Sequence, residues 1–308
     1  MKLISWGFIG CGEVTEKKSG PAFNEVEGSH VEAVMSRSEE KARSYAERHH
    51  IRKWYTDAQE LIDDPEVNAI YIATPPSSHA TFAIMAMKAG KPVYVEKPLA
   101  ASYEDCARIN RISEQTGVPC FVAYYRRYLP YFQKVKDILS QQLIGEVINV
   151  QIRFSVPPRD LDASCAKQLP WRLQPDIAGG GYFYDLAPHQ LDILQHLFGV
   201  ITRAHGYCAN RAHLYQAEDT ISACFLFENG LPGSASWCFV GVPKKIALKS
   251  LATKAHCRSR SITTTPSSSS QARAPRKLKC PILRSCNCPS SEPSSTICKA
   301  LAFAPVRR

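Results

Sequence analysis

Apolar and polar residues follow two different periods along the first 124 positions. Short apolar runs, among them LISWGFI, SHVEAVM, NAIYIAT, PVYVEKP and VPCFVAY, predict strands, and amphipathic stretches between them predict helices. One such helix is SYEDCARINRISEQT, with Ser102 as its N-cap and Gly117 just past its end. Strands that alternate with helices predict an α/β fold, a doubly wound parallel sheet over residues 1–124.

From about residue 145 the pattern changes to longer strands with alternating residues. GEVINVQIRFSV, RAHGYCANRA, DTISACFLFENG and LPGSASWCFVG predict successive strands, and Asn229-Gly230 predicts a hairpin turn. One helical stretch follows the glycine run at 179–181. We therefore predict an α+β domain over residues 125–242 with an open-faced, mainly antiparallel sheet.

The composition changes again after residue 242. Residues 1–242 carry 24 Lys and Arg against 27 Asp and Glu, whereas residues 243–308 carry 14 against one. The last segment has no Gly, Tyr, Trp or Asp, and its Ser/Pro-rich stretches bury too little apolar area to offset the entropy of ordering. We predict a disordered basic tail over residues 243–308. Its composition is typical of a shifted reading frame, a hypothesis that the coding DNA tests.

Composition also bears on location and partners. No apolar run approaches the roughly 18 residues of a membrane-spanning helix, and no signal-peptide cleavage pattern follows the first strand. A cytoplasmic location is predicted, with cysteines that are reduced because they are scattered singly through residues 1–242. Cys280, Cys286 and Cys288 fall short of a four-ligand zinc site, so no metal is predicted. The charge of the tail suffices for nonspecific attraction to nucleic acid, but no aromatic platform or recognition helix accompanies it.

The segment GFIGCGEVT joins the first strand to a helix. Gly10 permits a tight turn, and Gly12 lets a pyrophosphate approach the backbone of Glu13 and Val14 at the start of that helix. The position of the third glycine or alanine in the pattern is Thr15. Strand, glycine turn and helix together predict a Rossmann site for a dinucleotide.

The end of the second strand predicts which dinucleotide binds. An acidic residue there would accept the ribose 2′-hydroxyl, but the segment reads MSRSEEK. Ser36, Arg37 and Ser38 suit a 2′-phosphate better through charge-assisted hydrogen bonds. NADP(H) is therefore favoured over NAD(H), and the alternative is that Arg37 is a solvated loop residue.

Two further strand ends carry polar residues. In ATPPSSHA, Thr74 and Pro75 are predicted to line the cofactor and His79 to touch it, unless the two serines cap a helix and leave His79 exposed. In VYVEKP, Glu96 and Lys97 reach the expected nicotinamide, where Lys97 is a candidate proton relay or carbonyl polariser. A surface lysine is the alternative.

The segments GFIGCG, ATPPSSHA, EKPLA, AYYRRYLP and GGGYFYDLAPHQLD, in this order and spacing, resemble the Gfo/Idh/MocA family of nicotinamide-dependent oxidoreductases. The resemblance covers about residues 3–242. It implies a Rossmann domain joined to an open antiparallel sheet, a sugar, cyclitol or related diol as substrate, and homo-oligomers formed through the open sheet face.

The resemblance also implies a site. Lys97, Asp185 and His189 match the family's catalytic set, and the pair Arg126-Arg127 matches a segment near the cofactor, with the role of each arginine left open. Asp185, His189 and Asp192 are spaced i, i+4 and i+7, which places them on one face of a helix, and an exposed Asp-His pair is the alternative. The three glycines before the helix are interpreted as leaving room for a ligand.

Two more substrate residues and the reaction complete the prediction. Trp171 is a candidate stacking wall and Arg172 a hydroxyl donor, with core packing as the alternative for both. His189 would take the hydroxyl proton, Asp185 would orient the sugar and Lys97 would stabilise the developing alkoxide, although the sequence leaves open whether Lys97 or His189 is the base. The rival function is a nucleotide-binding regulator without turnover or an inactive truncated homologue.

Overall fold

The structure is a computed structural model that describes residues 3–159, 169–241, 245–253 and 256–259. These residues divide into two compact units. The first comprises 3–125 and 169–188, and the second comprises 126–159, 189–241, 245–253 and 256–259. Residues 169–188 were predicted to belong to the second domain, but their contacts group them with the first unit.

The first unit is built on a six-stranded parallel sheet with the strand order β3-β2-β1-β4-β5-β6. This order is the Rossmann topology that the sequence predicts. In chain order its elements are β1 (Ile4–Ile9), α1 (Glu13–Lys17), α2 (Gly20–Glu25), β2 (Ser29–Met35), α3 (Glu39–Arg48), β3 (Lys53–Tyr55), α4 (Ala58–Asp63), β4 (Ala69–Ile72), α5 (His79–Lys88), β5 (Val93–Val95), α6 (Tyr103–Thr116), β6 (Cys120–Val122) and α8 (Pro175–Ala178).

Local signals set the ends of these helices where the sequence predicts them. The Ser102 side chain accepts a hydrogen bond from the backbone N–H of Asp105 at 3.1 Å and starts α6. Gly117 ends α6 in the left-handed region at φ 67°. Between helices and sheet, Phe8 and Tyr71 pack edge to face with ring centroids 5.0 Å apart, and Phe23 covers both rings.

The second unit contains a six-stranded sheet with the order β12-β11-β7-β10-β9-β8. Among the described strands of this second sheet, only the pairing of β10 with β7 is parallel, so the prediction of a mainly antiparallel sheet is confirmed. Its elements are α7 (Pro130–Ser140), β7 (Val147–Ser155), β8 (Ile201–Ala209), β9 (Thr220–Phe227), β10 (Pro232–Cys238), β11 (Lys245–Ala252) and β12 (His256–Ser259). Helix α9 (Tyr182–Phe198) begins in the first unit and continues into the second after Pro188.

Side chains alternate between the two faces of the second sheet. On β9, Ile221, Phe225 and Phe227 are buried, whereas Ser222 and Cys224 are exposed. The hairpin from β9 to β10 turns at Asn229-Gly230, with φ 83° at Gly230. One face of this sheet therefore carries the core and the other is open, as predicted.

The prediction that residue 243 begins a disordered tail is wrong for the described part of that segment. β11 pairs antiparallel with β7, and β12 pairs with β11. Composition could not reveal these strands, because their backbone groups are satisfied by the edge of β7, which is distant in sequence. Residues 260–308, including Cys280, Cys286 and Cys288, lie outside the described residues, and the shifted-frame hypothesis stays a prediction.

The described residues contain neither a membrane-spanning helix nor a cluster of metal ligands. No helix in the described ranges has the length and apolar character needed to cross a membrane. Within the same ranges, no group of three or more His, Cys, Asp or Glu side chains is arranged to hold a metal ion.

Candidate active site

The loop between β1 and α1 combines a tight turn with an open approach. Gly10 has φ +112°, and a Cβ there would stand 3.0 Å from the backbone of Ala73. A Cβ on Gly12, the N-cap of α1, would meet nothing within 4 Å. Gly10 is therefore required by the protein's own packing, whereas Gly12 leaves space beside the backbone at the first turn of α1, formed by Glu13 and Val14. That space fits the pyrophosphate of a dinucleotide.

Thr15 explains how the loop tolerates the loss of a third glycine. Its buried hydroxyl donates to the backbone carbonyls of Gly12 at 2.9 Å and of Gly10 at 3.2 Å. The Tyr45 hydroxyl donates in turn to the carbonyl of Thr15 at 3.0 Å. Nearby, burial raises the pKa of the Cys11 thiol to about 12, so this cysteine stays protonated and is not a nucleophile.

The segment after β2 has one cation with no protein partner in the described structure. Arg37 is exposed, and no hydrogen bond or ion pair joins it to another described residue. The Ser38 side chain instead caps α3 by accepting from the backbone N–H of Lys41 at 3.4 Å. The Ser36 hydroxyl accepts from the backbone N–H of Ser38 at 3.4 Å, so Arg37 alone of these three residues has no protein partner in the described structure. The capping role of Ser38 was not predicted from the sequence.

His79 is not where either sequence interpretation places it. The side chain is fully buried, with Nε2 at 2.7 Å from the carbonyl oxygen of Thr74 and Nδ1 at 3.0 Å from that of Pro98. Burial lowers the pKa of the imidazole. Because the ring is fully buried between two protein carbonyls, the prediction that His79 touches the cofactor is wrong, and so is the alternative of an exposed histidine. The ring ties the loop after β4, with Thr74 and Pro75, to the loop after β5.

Lys97 and Asp185 lie against each other in the first unit. Lys97 follows β5, its bond to Pro98 is cis, and its Nζ lies 2.5 Å from Asp185 Oδ1 and 2.9 Å from the Asp185 carbonyl oxygen. On the other side of the carboxylate, Arg172 Nε lies 3.4 Å from Asp185 Oδ2. The Arg172 guanidinium also stacks over the Trp171 ring at 4.4 Å. One carboxylate is therefore held between two cations, and all four residues are at most half-exposed to solvent.

This geometry changes the roles of Trp171 and Arg172. The sequence offers them as a stacking wall and a hydroxyl donor, with core packing as the alternative. In the structure, Arg172 orients Asp185 and Trp171 supports Arg172. Their direct contact with a substrate stays a prediction.

The glycine run before α9 serves packing and not ligand access. Gly179 has φ +86°, and a Cβ there would come within 2.3 Å of the Ala101 carbonyl oxygen. A Cβ on Gly180 would strike the Tyr184 ring at 2.2 Å. The interpretation that the glycine run leaves room for a ligand is corrected for Gly179 and Gly180, because the space beside them is filled by the chain that follows Lys97 and by the helix itself.

His189 and Asp192 lie on α9 in the second unit, and both are buried. The alternative of an exposed Asp-His pair is therefore wrong. Asp192 accepts hydrogen bonds from Arg127, with Nε at 2.8 Å, while burial raises the pKa of its carboxyl. Trp237 Nε1 donates to Oε1 of Gln190, the residue after His189, at 2.5 Å. Two side-chain contacts within this unit thus fix the helical turn that carries His189.

Three residues of this arrangement were missed or left without a role by sequence reasoning. Arg127 was expected near the cofactor as half of the pair Arg126-Arg127, but no contact with Asp192 was predicted for it. Arg126 is half-buried in the turn Tyr125–Tyr128, and its cofactor contact stays a prediction. Tyr71 and Ser19 carry no motif, yet Tyr71 donates a hydrogen bond to Glu96 Oε1 at 2.8 Å and lies 2.7 Å from Ser19 Oγ. The one signal in the sequence was the hydroxyl of Tyr71, which lies on a strand whose other residues are apolar.

Comparison with known families gives two adjoining matches. The family described as "Oxidoreductase family, NAD-binding Rossmann fold" matches residues 4–124. The family described as "GFO/IDH/MocA C-terminal domain" matches residues 132–262, and so extends past residue 242 over β11 and β12.

Curated and solved relatives agree with these matches. Oxidoreductase P35 of Formosa agariphila is 40% identical over 243 residues, which are 79% of this chain and 74% of that protein. The scyllo-inositol 2-dehydrogenase (NAD(+)) of Bacillus subtilis is 29% identical, covering 73% of this chain and 64% of the enzyme. The WlbA dehydrogenase of Bordetella pertussis, solved in complex with NADH and UDP-GlcNAcA, superposes with a TM-score of 0.73 at 25% identity, over 84% of this chain and 76% of the other.

Proposed function

Because the chain belongs to the Gfo/Idh/MocA family of NAD-binding oxidoreductases, we propose that it transfers a hydride between a nicotinamide dinucleotide and a carbinol or carbonyl carbon of a sugar, cyclitol or related diol. The observation that carries this proposal is the contact of Lys97 with Asp185 directly after β5. In a Rossmann sheet, ligands bind at the carboxyl ends of the strands. The action of the Bacillus subtilis relative on a cyclitol supports the substrate class.

The residues present fit a dinucleotide. Gly12 and the first turn of α1 would hold the pyrophosphate, and Ser36 and Arg37 would hold the ribose. Thr74 and Pro75 would line the cofactor site beyond the ribose. When bound, the nicotinamide ring supplies the hydride donor or acceptor.

The chain's own residues supply the remaining chemistry. Lys97 stabilises negative charge on the reacting oxygen, and Asp185, held by Lys97 and Arg172, orients the sugar hydroxyls. His189 stands one helical turn after Asp185 and holds the hydroxyl proton. Burial of the imidazole keeps water away from that proton.

Gly12→Val is expected to weaken dinucleotide binding about tenfold or more without lowering the melting temperature. The new side chain enters the space proposed for the pyrophosphate, and its Cβ meets no protein atom within 4 Å. Quenching or enhancement of nicotinamide fluorescence measures the dissociation constant.

The matched variant is Gly10→Ala, for which the reverse pattern is expected. Alanine at φ +112° and 3.0 Å from the Ala73 backbone costs on the order of 1–3 kcal/mol of folding free energy. If Gly12→Val binds the dinucleotide as tightly as the wild type, the assignment of the loop is wrong.

We also propose that NADPH is preferred over NADH, since Arg37 follows β2 where an acidic residue would accept a 2′-hydroxyl. The WlbA dehydrogenase of Bordetella pertussis was solved with NADH, so the affinities of this chain for NADPH and NADH are to be compared directly. Arg37→Ala is expected to weaken NADPH about tenfold to a hundredfold and to leave NADH within about threefold, because a charge-assisted hydrogen bond contributes roughly 1.5–3 kcal/mol.

The control is Arg43→Ala. Arg43 is an exposed arginine on α3, the helix that follows Arg37. If the two variants lose NADPH affinity equally, the loss reflects the overall charge of this surface, and Arg37 does not contact the 2′-phosphate.

Titration of the wild type with NADPH and NADH is the experiment that tests the proposed function first. Binding of neither dinucleotide would refute the proposed function. Cytoplasmic location and oligomers through the open sheet face stay predictions.

A further inference from the structure

Tyr71 lies in the interior of the first unit with its hydroxyl between two polar side chains. The residue is fully buried on β4, and its ring packs against Phe8 and Phe23. Its hydroxyl donates to Glu96 Oε1 at 2.8 Å and lies 2.7 Å from Ser19 Oγ. A phenol has one proton, so Ser19 is the donor in the second contact, and its approach to the Val14 carbonyl oxygen, at 3.3 Å, is the longer of its two contacts.

Glu96 connects this hydroxyl to Lys97. Its second oxygen, Oε2, accepts from the backbone N–H of Lys97 at 3.3 Å. The charged groups that face the carboxyl are Lys97 from its own loop and Asp185 from α9, and Tyr71 is the neutral donor from β4. Burial raises the pKa of Glu96, whereas the Tyr71 hydrogen bond and the Lys97 charge lower it.

We propose that Tyr71 is a positioning residue for the reaction, whose hydroxyl holds the Glu96 carboxylate beside Lys97 and links it through Ser19 to the turn between α1 and α2. The inference rests on the proposed function for its kinetic test. An ionised Glu96 stabilises the ammonium that contacts Asp185. A buried carboxyl without its donor would be neutral, and this stabilisation would be lost.

Tyr71→Phe tests the link, because it removes one oxygen atom and keeps the packed ring. Loss of the donor raises the pKa of Glu96, so the carboxyl is protonated up to a higher pH. The acid limb of kcat/KM is therefore expected to move upward by about one pH unit. The fall is expected in kcat, with the NADPH dissociation constant within about threefold of wild type.

A double-mutant cycle separates positioning from packing. Glu96→Gln removes the ionisable group, so adding Tyr71→Phe to it is expected to cost nothing further. Additive losses would overturn the proposal. Tyr55→Phe is the matched control, since Tyr55 donates to the Asp64 carboxylate on the same sheet at 2.9 Å. Its pH profile is expected to equal that of the wild type.

A second readout needs no turnover. The infrared band of the protonated Glu96 carboxyl, assigned by its loss in Glu96→Gln, is followed against pH in the protein without substrate. Its midpoint is expected to rise in Tyr71→Phe, and an unchanged midpoint would overturn the proposal. If the proposed function fails, no sugar is turned over by the wild type, while this titration still gives its answer.

Ser19→Ala covers the case in which Tyr71→Phe does not fold. It leaves Tyr71 and Glu96 in place but removes the donor that polarises the tyrosine hydroxyl. A smaller shift of the infrared midpoint in the same direction is expected. An unchanged midpoint would overturn the proposed link from Glu96 through Ser19 to the turn between α1 and α2.

Discussion

Lys97→Ala is expected to lower kcat about 10²- to 10³-fold, because it removes the ammonium that faces charge developing on the reacting oxygen. The side chain is only 15% exposed and its Nζ lies 2.5 Å from Asp185 Oδ1, so water replaces it poorly. NADPH affinity is expected to stay within about threefold, since the glycine loop and Arg37 are untouched. Steady-state kinetics and fluorescence titration on the same preparation measure both quantities.

Lys88→Ala is the matched control for this loss. Lys88 is exposed in the last turn of α5, and its removal is expected to leave kcat unchanged. If Lys97→Ala turns over sugar as fast as this control, Lys97 takes no part in the reaction and does not belong to the active site.

His189→Asn is expected to lower kcat about 10²- to 10⁴-fold, the range typical for loss of a general acid or base. Asparagine keeps a hydrogen-bonding side chain of smaller size at a position that is 5% exposed, so folding is retained. The pH dependence of the remaining activity is expected to lose the limb that belongs to the imidazole.

The exposed His205 on β8 of the same unit gives the control variant, His205→Asn. Activity that falls equally in both variants would point to a general effect of histidine loss. A full pH profile retained in His189→Asn would leave Lys97 as the base, which is the choice that the sequence alone leaves open.

The sequence predicts the parts of the fold that local chemistry determines. Ser102 and Gly117 bound α6 as expected, and Asn229-Gly230 turns the hairpin between β9 and β10. These features depend on caps and turns, which a short window of sequence contains. The pairing of Lys97 with Asp185, which are 88 residues apart, was expected from the family resemblance and not from local patterns.

Tertiary contacts explain what the sequence could not show. The space beside Gly179 is filled by the backbone of Ala101, and the His79 ring is buried against the Pro98 carbonyl of the loop after β5. β11 has an unusual composition for a strand and forms because β7 offers it an edge. In each case the deciding partner is distant in sequence, so residue type alone suggested a ligand contact or disorder.

Hydride transfer in a single turnover tests the central claim most directly. Enzyme is loaded with NADP or NAD and mixed with a panel of sugars and cyclitols, while the absorbance of the reduced nicotinamide is followed. The account predicts a burst in the wild type, and in Lys97→Ala and His189→Asn a burst at least about a hundredfold slower with the dinucleotide fully bound. Equal burst rates in all three proteins, or dinucleotide binding with no burst from any substrate of this class, would contradict it.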